Sequence, residues 1–125
     1  MKISISIDVP TLEDGIPFYG DAFAFTESSW PHPSYSVLES GAARNGLLAK
    51  AAGTRPAKDT GDVRRSDRHW TPVHIDFDAD DFDAVERAKA RGAKCEEIHR
   101  TSGYPPGAFC SNPFGHGFCI IAKRA

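Results

Sequence analysis

No stretch of the 125-residue chain approaches the roughly 18 consecutive apolar residues that a membrane-spanning helix needs. The sequence therefore offers no transmembrane helix. It also lacks an excess of one charge: fifteen Lys and Arg stand against seventeen Asp and Glu, for a net charge of −2. The basic footprint of a nucleic-acid binder is missing. Cysteine is scarce, with only Cys95, Cys110 and Cys119. Their odd number and the lack of Cys-x-x-Cys spacing speak against a disulfide framework or a structural zinc site, and for a reducing cytoplasm. Met1-Lys2 runs straight into an alternating segment, so no cleavable signal peptide is expected. What is present suffices for one domain. The chain is 40% hydrophobic and 26% charged, and at this length a core holds without metal or disulfide staples.

Ile3, Ile5, Ile7 and Val9 alternate with Ser4, Ser6 and Asp8, the period of a strand with one buried face. Thr11 and Asp14 resemble a capping box that opens a helix, with Leu12, Ile16, Tyr19 and Phe23 as its apolar stripe. Pro17 lies inside that stripe and should kink the helix or limit its early turns. Strand character returns at Phe25 to Trp30, Tyr35 to Glu39 and Gly46 to Ala52. Gly53 to His69 is charged and almost without apolar residues, so it reads as a mobile loop. The pattern then restarts. Val73, Ile75 and Phe77 alternate with His74, Asp76 and Asp78. Asp80 or Asp81 caps a helix with the stripe Phe82, Val85 and Ala88, and Gly92 marks its C-terminus. Three further strands are expected at Lys94 to Arg100, Gly107 to Ser111 and Gly117 to Ala122.

A shift of 70 residues lays Ile3 on Val73, Ile5 on Ile75, Ile7 on Phe77 and Leu12 on Phe82. The chain is thus an internal duplication in which each half reads strand, helix, strand, strand, strand. The fold class is α+β. The expected organisation is a single domain over residues 1–125, with module one at about 1–52, a charged loop at 53–69 and module two at about 70–125.

Several segments, in this order, resemble the glyoxalase/bleomycin-resistance/dioxygenase superfamily, also called vicinal oxygen chelate proteins. They are Ile7-Asp8-Val9-Pro10-Thr11-Leu12-Glu13 with Phe18-Tyr19, then Val73-His74-Ile75-Asp76-Phe77 with Asp80-Asp81-Phe82-Asp83, and Asn112-Pro113-Phe114-Gly115-His116-Gly117-Phe118. The last run matches the family's Asp-Pro-x-Gly turn with Asn112 in place of the aspartate. The resemblance implies two βαβββ modules whose curved mixed sheets enclose a central cavity, commonly in a homodimer. It implies that Ser4, Ser6, His74 and Asp76 face that cavity.

Metal-dependent members carry ligands on the first and last strands of each module. By the resemblance these positions fall on Ser4, His74, Cys119 and a site near Ala49. Only His74 is a usual ligand. A catalytic divalent ion needs about three protein ligands, and Ser and Ala do not supply them. The expectation is therefore no cofactor and no metal; a divalent metal, if held, would use His74 with Asp76 or Cys119. His74 is also the best catalytic candidate, since imidazole serves as acid or base near neutral pH; its plainer role is a hydrogen-bonded lining residue. Cys119 reads first as a small buried residue, and as a nucleophile only with a base such as His74 in reach. Trp30 and Trp70 suit flat or cationic ligands, or else pack at strand ends. Phe109 follows the loop Gly103-Tyr104-Pro105-Pro106-Gly107, a segment placed to cover a cavity mouth.

The leading expectation is a cytoplasmic, metal-independent protein that binds a small organic molecule through Ser4, Ser6, Trp30, Trp70, His74, Asp76, Phe109 and Cys119. The alternative is a lyase, isomerase or dioxygenase of the same group using His74. A ferredoxin-like RNA-binding domain fits poorly, because Asp76, Asp78, Asp80 and Asp81 would repel phosphates. No nucleic-acid or membrane partner is expected.

Overall fold

The computed structural model describes Met1 and residues 3–122. Lys2 and the last three residues of the second module as read from sequence lie outside the described residues. The chain divides into two compact units, Met1–Ser66 and Asp67–Ala125.

The first unit opens with strand β1 (Ile5–Val9). Thr11 caps helix α1 (Leu12–Phe23): its hydroxyl accepts the Asp14 N–H at 3.1 Å, one of the orphan donors at any helix start. Pro17 sits within α1, which runs through it without a break. The helix ends at Ala24 in the left-handed region, its N–H donating to the Gly20 carbonyl at 3.0 Å. The fully buried face is Gly15, Phe18, Tyr19 and Ala22, offset from the expected stripe, with Leu12, Ile16 and Phe23 at its half-buried margins. Strands β2 (Thr26–His32), β3 (Tyr35–Ser40) and β4 (Ala43–Ala49) follow. The sheet order is β1-β4-β3-β2, with β1 parallel to β4 and the rest antiparallel.

Alternation in β1 buries Ile7 and Val9 but not Ile3, which is 85% exposed and precedes the strand. Ile5 is also exposed. The apolar period is therefore right, but only its second half reaches the core. That core combines Val9, Phe18, Ala22, Leu38 and Leu47, each at most 2% exposed.

The second unit repeats the order: β5 (Ile75–Ala79), α2 (Asp83–Ala90), β6 (Lys94–His99), β7 (Gly107–Ser111) and β8 (Gly117–Ala122). Its sheet order is β5-β8-β7-β6, again with one parallel pair. The N-cap of α2 is Phe82, with no side-chain cap bond, rather than Asp80 or Asp81. Asp81 Oδ1 accepts the Asp83 N–H at 2.9 Å from just ahead of the helix, and Phe82 is half-buried at the cap instead of within the stripe. Val85 and Ala88 are buried with Ala84, and Gly92 takes φ +97° after the helix. Phe118 and Ile120 supply the buried side of β8. Both halves are thus βαβββ modules, and the fold class is α+β with a duplicated module.

The charged segment between the modules is held more firmly than its composition predicts. The Gly53 N–H donates to the Arg64 carbonyl and the Arg64 N–H to the Thr54 carbonyl, both at 2.8 Å. The Arg64 side chain donates to Asp8 Oδ2 at 2.8 Å and to the Arg55 carbonyl at 3.0 Å. Charge pairing and backbone ladders replace the missing apolar anchor.

Candidate functional site

The chemistry of the second unit collects on the face of its sheet that carries His74, Asp76 and Cys119. Side chains on neighbouring strands share a face when their residues are paired. Register pairs Asp76 with Cys119, and Cys119 with Phe109. His74 lies two residues before Asp76 and points the same way. Its Nδ1 is 3.3 Å from Asp76 Oδ1, and its ring meets that of Phe109 edge to face at 6.3 Å. One ligand-type atom from each of His74, Asp76 and Cys119 lies within 4.8 Å of the others. The Cys119 thiol donates to the Asp76 carboxylate; burial first, then the Asp76 charge, push its pKa up to about 11. The thiol is thus protonated at neutral pH and a poor nucleophile.

Beside this trio opens a pocket of about 290 Å³, lined by His99, Thr101, Tyr104, Pro105, Gly107, Ala108, Cys119 and Ile121. The loop singled out in the sequence supplies Tyr104, Pro105 and Gly107. Cys119 belongs to both the trio and the pocket wall, so a ligand in the pocket would lie next to the His74–Asp76 pair. His99, exposed at the end of β6, also lines this pocket, a role the sequence did not single out.

A second polar group was hidden in the charged segment. Arg68 forms a two-pronged ion pair with Glu96, at 2.8 and 3.2 Å, and lies 5.6 Å over the Phe109 ring. The Arg68 guanidinium holds the Glu96 carboxyl below its ordinary value, more than offsetting the opposing effect of desolvation. Glycine at 115 makes this placement possible. Its φ is +89°, and a Cβ there would come within 1.9 Å of the Asp67 carbonyl oxygen. The Gly115 carbonyl accepts the His69 N–H at 3.0 Å. Arg68 and Glu96 escaped the sequence reading because both sat among many charges; the visible signal was the Gly115-containing turn that anchors the segment.

The remaining expected residues lie elsewhere. Ser4 and Ser6 belong to the first unit, both exposed, with Ser4 just outside β1. Trp30, on β2, is 61% exposed, and Trp70 is 81% exposed; the pocket wall includes neither. Neither therefore packs at its strand end within its unit. The fourth position of the resemblance also moves. In the second unit Cys119 pairs with Asp76, and in the first Ser6 pairs with Gly46. The counterpart of Cys119 is therefore Gly46, not Ala49, because the loops between strands differ by three residues. A Cβ at Gly46 would meet the Tyr35 ring at 2.5 Å, so an aromatic ring covers the place where a ligand side chain would start. The first unit thus offers only hydroxyl donors, Ser4 and Ser6, at these positions.

Residues 4–121 match the glyoxalase-like domain family. Among curated proteins no sequence matches. The fold is shared with solved structures of low identity. A point mutant of the fosfomycin resistance protein FosX from Listeria monocytogenes, solved with Mn(II) and 1S,2S-dihydroxypropylphosphonic acid, is 16% identical. The match covers 99% of this chain and 90% of that one, with a TM-score of 0.73. A glyoxalase/bleomycin resistance protein/dioxygenase family enzyme from Burkholderia phytofirmans PsJN is 19% identical over 95% of each chain, at TM-score 0.68. Lactoylglutathione lyase from Agrobacterium tumefaciens is 18% identical over 96% of this chain and 91% of that one, at TM-score 0.63. With the duplicated βαβββ order already established, the chain belongs to the glyoxalase-like domain family, within the glyoxalase/bleomycin-resistance/dioxygenase superfamily.

Proposed function

We propose that this chain binds a small organic molecule in the pocket of its second unit, without a catalytic metal. The observation that carries the reading is the pocket of about 290 Å³ walled by Tyr104, Pro105, Ala108 and Ile121. Its size is close to the lower end of small-molecule sites, and such sites combine apolar walls with a few polar groups. Here the polar groups are His99, Thr101 and the adjoining His74–Asp76 pair, able to orient a ligand by hydrogen bonds. The protonated Cys119 thiol adds contact surface rather than reactivity. A cytoplasmic homodimer accompanies this reading; exposed Ile3, Trp30, Trp70 and Val73 support self-association.

The test is a calorimetric screen of small aromatic and aliphatic compounds, with and without EDTA. Saturable binding that EDTA leaves unchanged, and that Ile121→Trp abolishes while the circular dichroism spectrum is kept, is the expected result. Turnover that depends on a divalent ion would overturn the metal-free reading.

A second reading is favoured by the trio itself. His74, Asp76 and Cys119, with their ligand-type atoms within 4.8 Å of one another, would supply three protein ligands and leave a position open, and mixed nitrogen, oxygen and sulfur donors suit a borderline ion. When bound there, a divalent ion would supply Lewis-acid chemistry for a lyase, isomerase or dioxygenase. Binding would have to displace the Cys119 proton. Titration with Zn²⁺, Ni²⁺, Mn²⁺ and Fe²⁺ separates the readings. Near-stoichiometric binding lost in His74→Ala supports the second; no binding below roughly 100 μM, about −5.5 kcal/mol, supports the first.

A further inference from the structure

The two remaining cysteines stand far apart in sequence and face to face in the sheet. Antiparallel pairing of β6 with β7 sets Cys95 directly opposite Cys110. Opposed residues of such a pair have Cα atoms roughly 4.5–5.5 Å apart, inside the roughly 4.4–6.8 Å range that disulfides span. Both side chains leave the sheet on the same side. Cys95 is half-buried, whereas Cys110 is fully buried. Glu96 is the extra residue of a bulge beside Cys95, so that Glu97 is the next to pair, with Phe109. Cys119 pairs with Phe109, one residue before Cys110, and so projects from the opposite face.

We propose that Cys95 and Cys110 form a reversible intramolecular disulfide when the protein meets hydrogen peroxide, fastening β6 to β7. The accessible Cys95 reacts first. Its thiolate attacks one peroxide oxygen; an S–O bond forms, the O–O bond breaks, and hydroxide leaves to take up a proton as water. Cys95 is then a sulfenic acid. The Cys110 sulfur attacks Cys95 sulfur and gives up its proton; the S–S bond forms, the S–O bond breaks, and a second water leaves. Two thiols and one peroxide become one disulfide and two waters. The order of events follows from burial. Cys110 is only 1% exposed, out of the oxidant's reach, while its place opposite Cys95 keeps its sulfur beside the sulfenic acid. In a reducing compartment such a pair stays reduced until challenged. The link would fasten the strands that carry His99, Gly107 and Ala108 of the pocket wall, and it does not depend on what that pocket binds.

The test exposes the intact chain to stoichiometric peroxide, alkylates it in urea and digests it with chymotrypsin under non-reducing conditions. Cleavage after Phe114 separates Cys110 from Cys119. The expected product joins the Cys95 and Cys110 peptides, two hydrogens lighter than their sum, with Cys119 alkylated and the link lost in dithiothreitol. Cys119→Ala should still form it. Cys95→Ala, a change at a half-buried position, should leave Cys110 and Cys119 fully alkylated. A link that includes Cys119, a sulfinic Cys95 beside an alkylated Cys110, or three alkylated thiols at tenfold peroxide would each overturn the proposal.

Discussion

Asn112 stands where the resemblance places an aspartate, and its amide oxygen shows why the exchange is tolerated. Oδ1 accepts the N–H groups of Phe114 and His116, each at 3.0 Å, so the turn needs an acceptor and no charge. Asp76 is a different case, because its charge acts on a neighbour. With the Cys119 thiol raised from 9.0 to about 11, the folded state holds a proton that the unfolded chain releases between those values. The resulting stability is fully present below about pH 9 and is lost as pH rises through about 11. Asp76→Asn removes the carboxylate that opposes thiolate formation. Alkylation of Cys119 by iodoacetamide at pH 9 should then rise roughly three- to tenfold. An unchanged rate would mean that desolvation alone sets the thiol.

At the scale of elements, the segment after β4 is the part that composition misjudged. Counting apolar residues predicts mobility, but Arg64 closes the segment on itself and on Asp8, with side-chain exposures of only 18% and 37%. A charge-assisted bond sheltered this way is worth more than an exposed pair. Arg64→Ala should destabilise the first unit by about 1–2 kcal/mol in urea titration. It should also speed amide exchange at Gly53, whose N–H is bonded to the Arg64 carbonyl. Equal exchange in the variant would show that the backbone ladder holds the segment by itself. Strand and helix positions were more legible, because period two at β1 and β5 and the Thr11 cap are local signals. Where β4 begins was not: Ala43 and Arg44 are exposed and carry no apolar period, and only pairing with β3 recruits them.

Across the whole molecule, the duplication is the organising fact, and it is visible in energetics as well as in order. Leu47 pairs with Ile7, and Ile120 with Phe77, so the two residues hold equivalent places in their units. Both have 0% exposure. Leu47→Ala and Ile120→Ala should each cost about 2–5 kcal/mol, as large-to-small core changes do, read from chemical denaturation. A cost under about 1 kcal/mol at either would show that its core relaxes around the gap.

The sequence by itself determined the repeat, the order of elements in each half and the family. These rest on local periodicity and on spacing along the chain. It also marked His74 and Asp76, which alternation puts on one side of their strand, and Cys119, which the resemblance places at a ligand position, as residues to watch. Only tertiary structure decided which of them meet, since the parallel register of β5 with β8 brings Asp76 against Cys119. It likewise put Gly46, under the ring of Tyr35, where arithmetic pointed to Ala49. It drew Arg68 and Glu96 together and set Cys95 against Cys110. Such contacts depend on loop lengths and strand registers, and these are fixed by the packing of a whole unit rather than by any short stretch of chain.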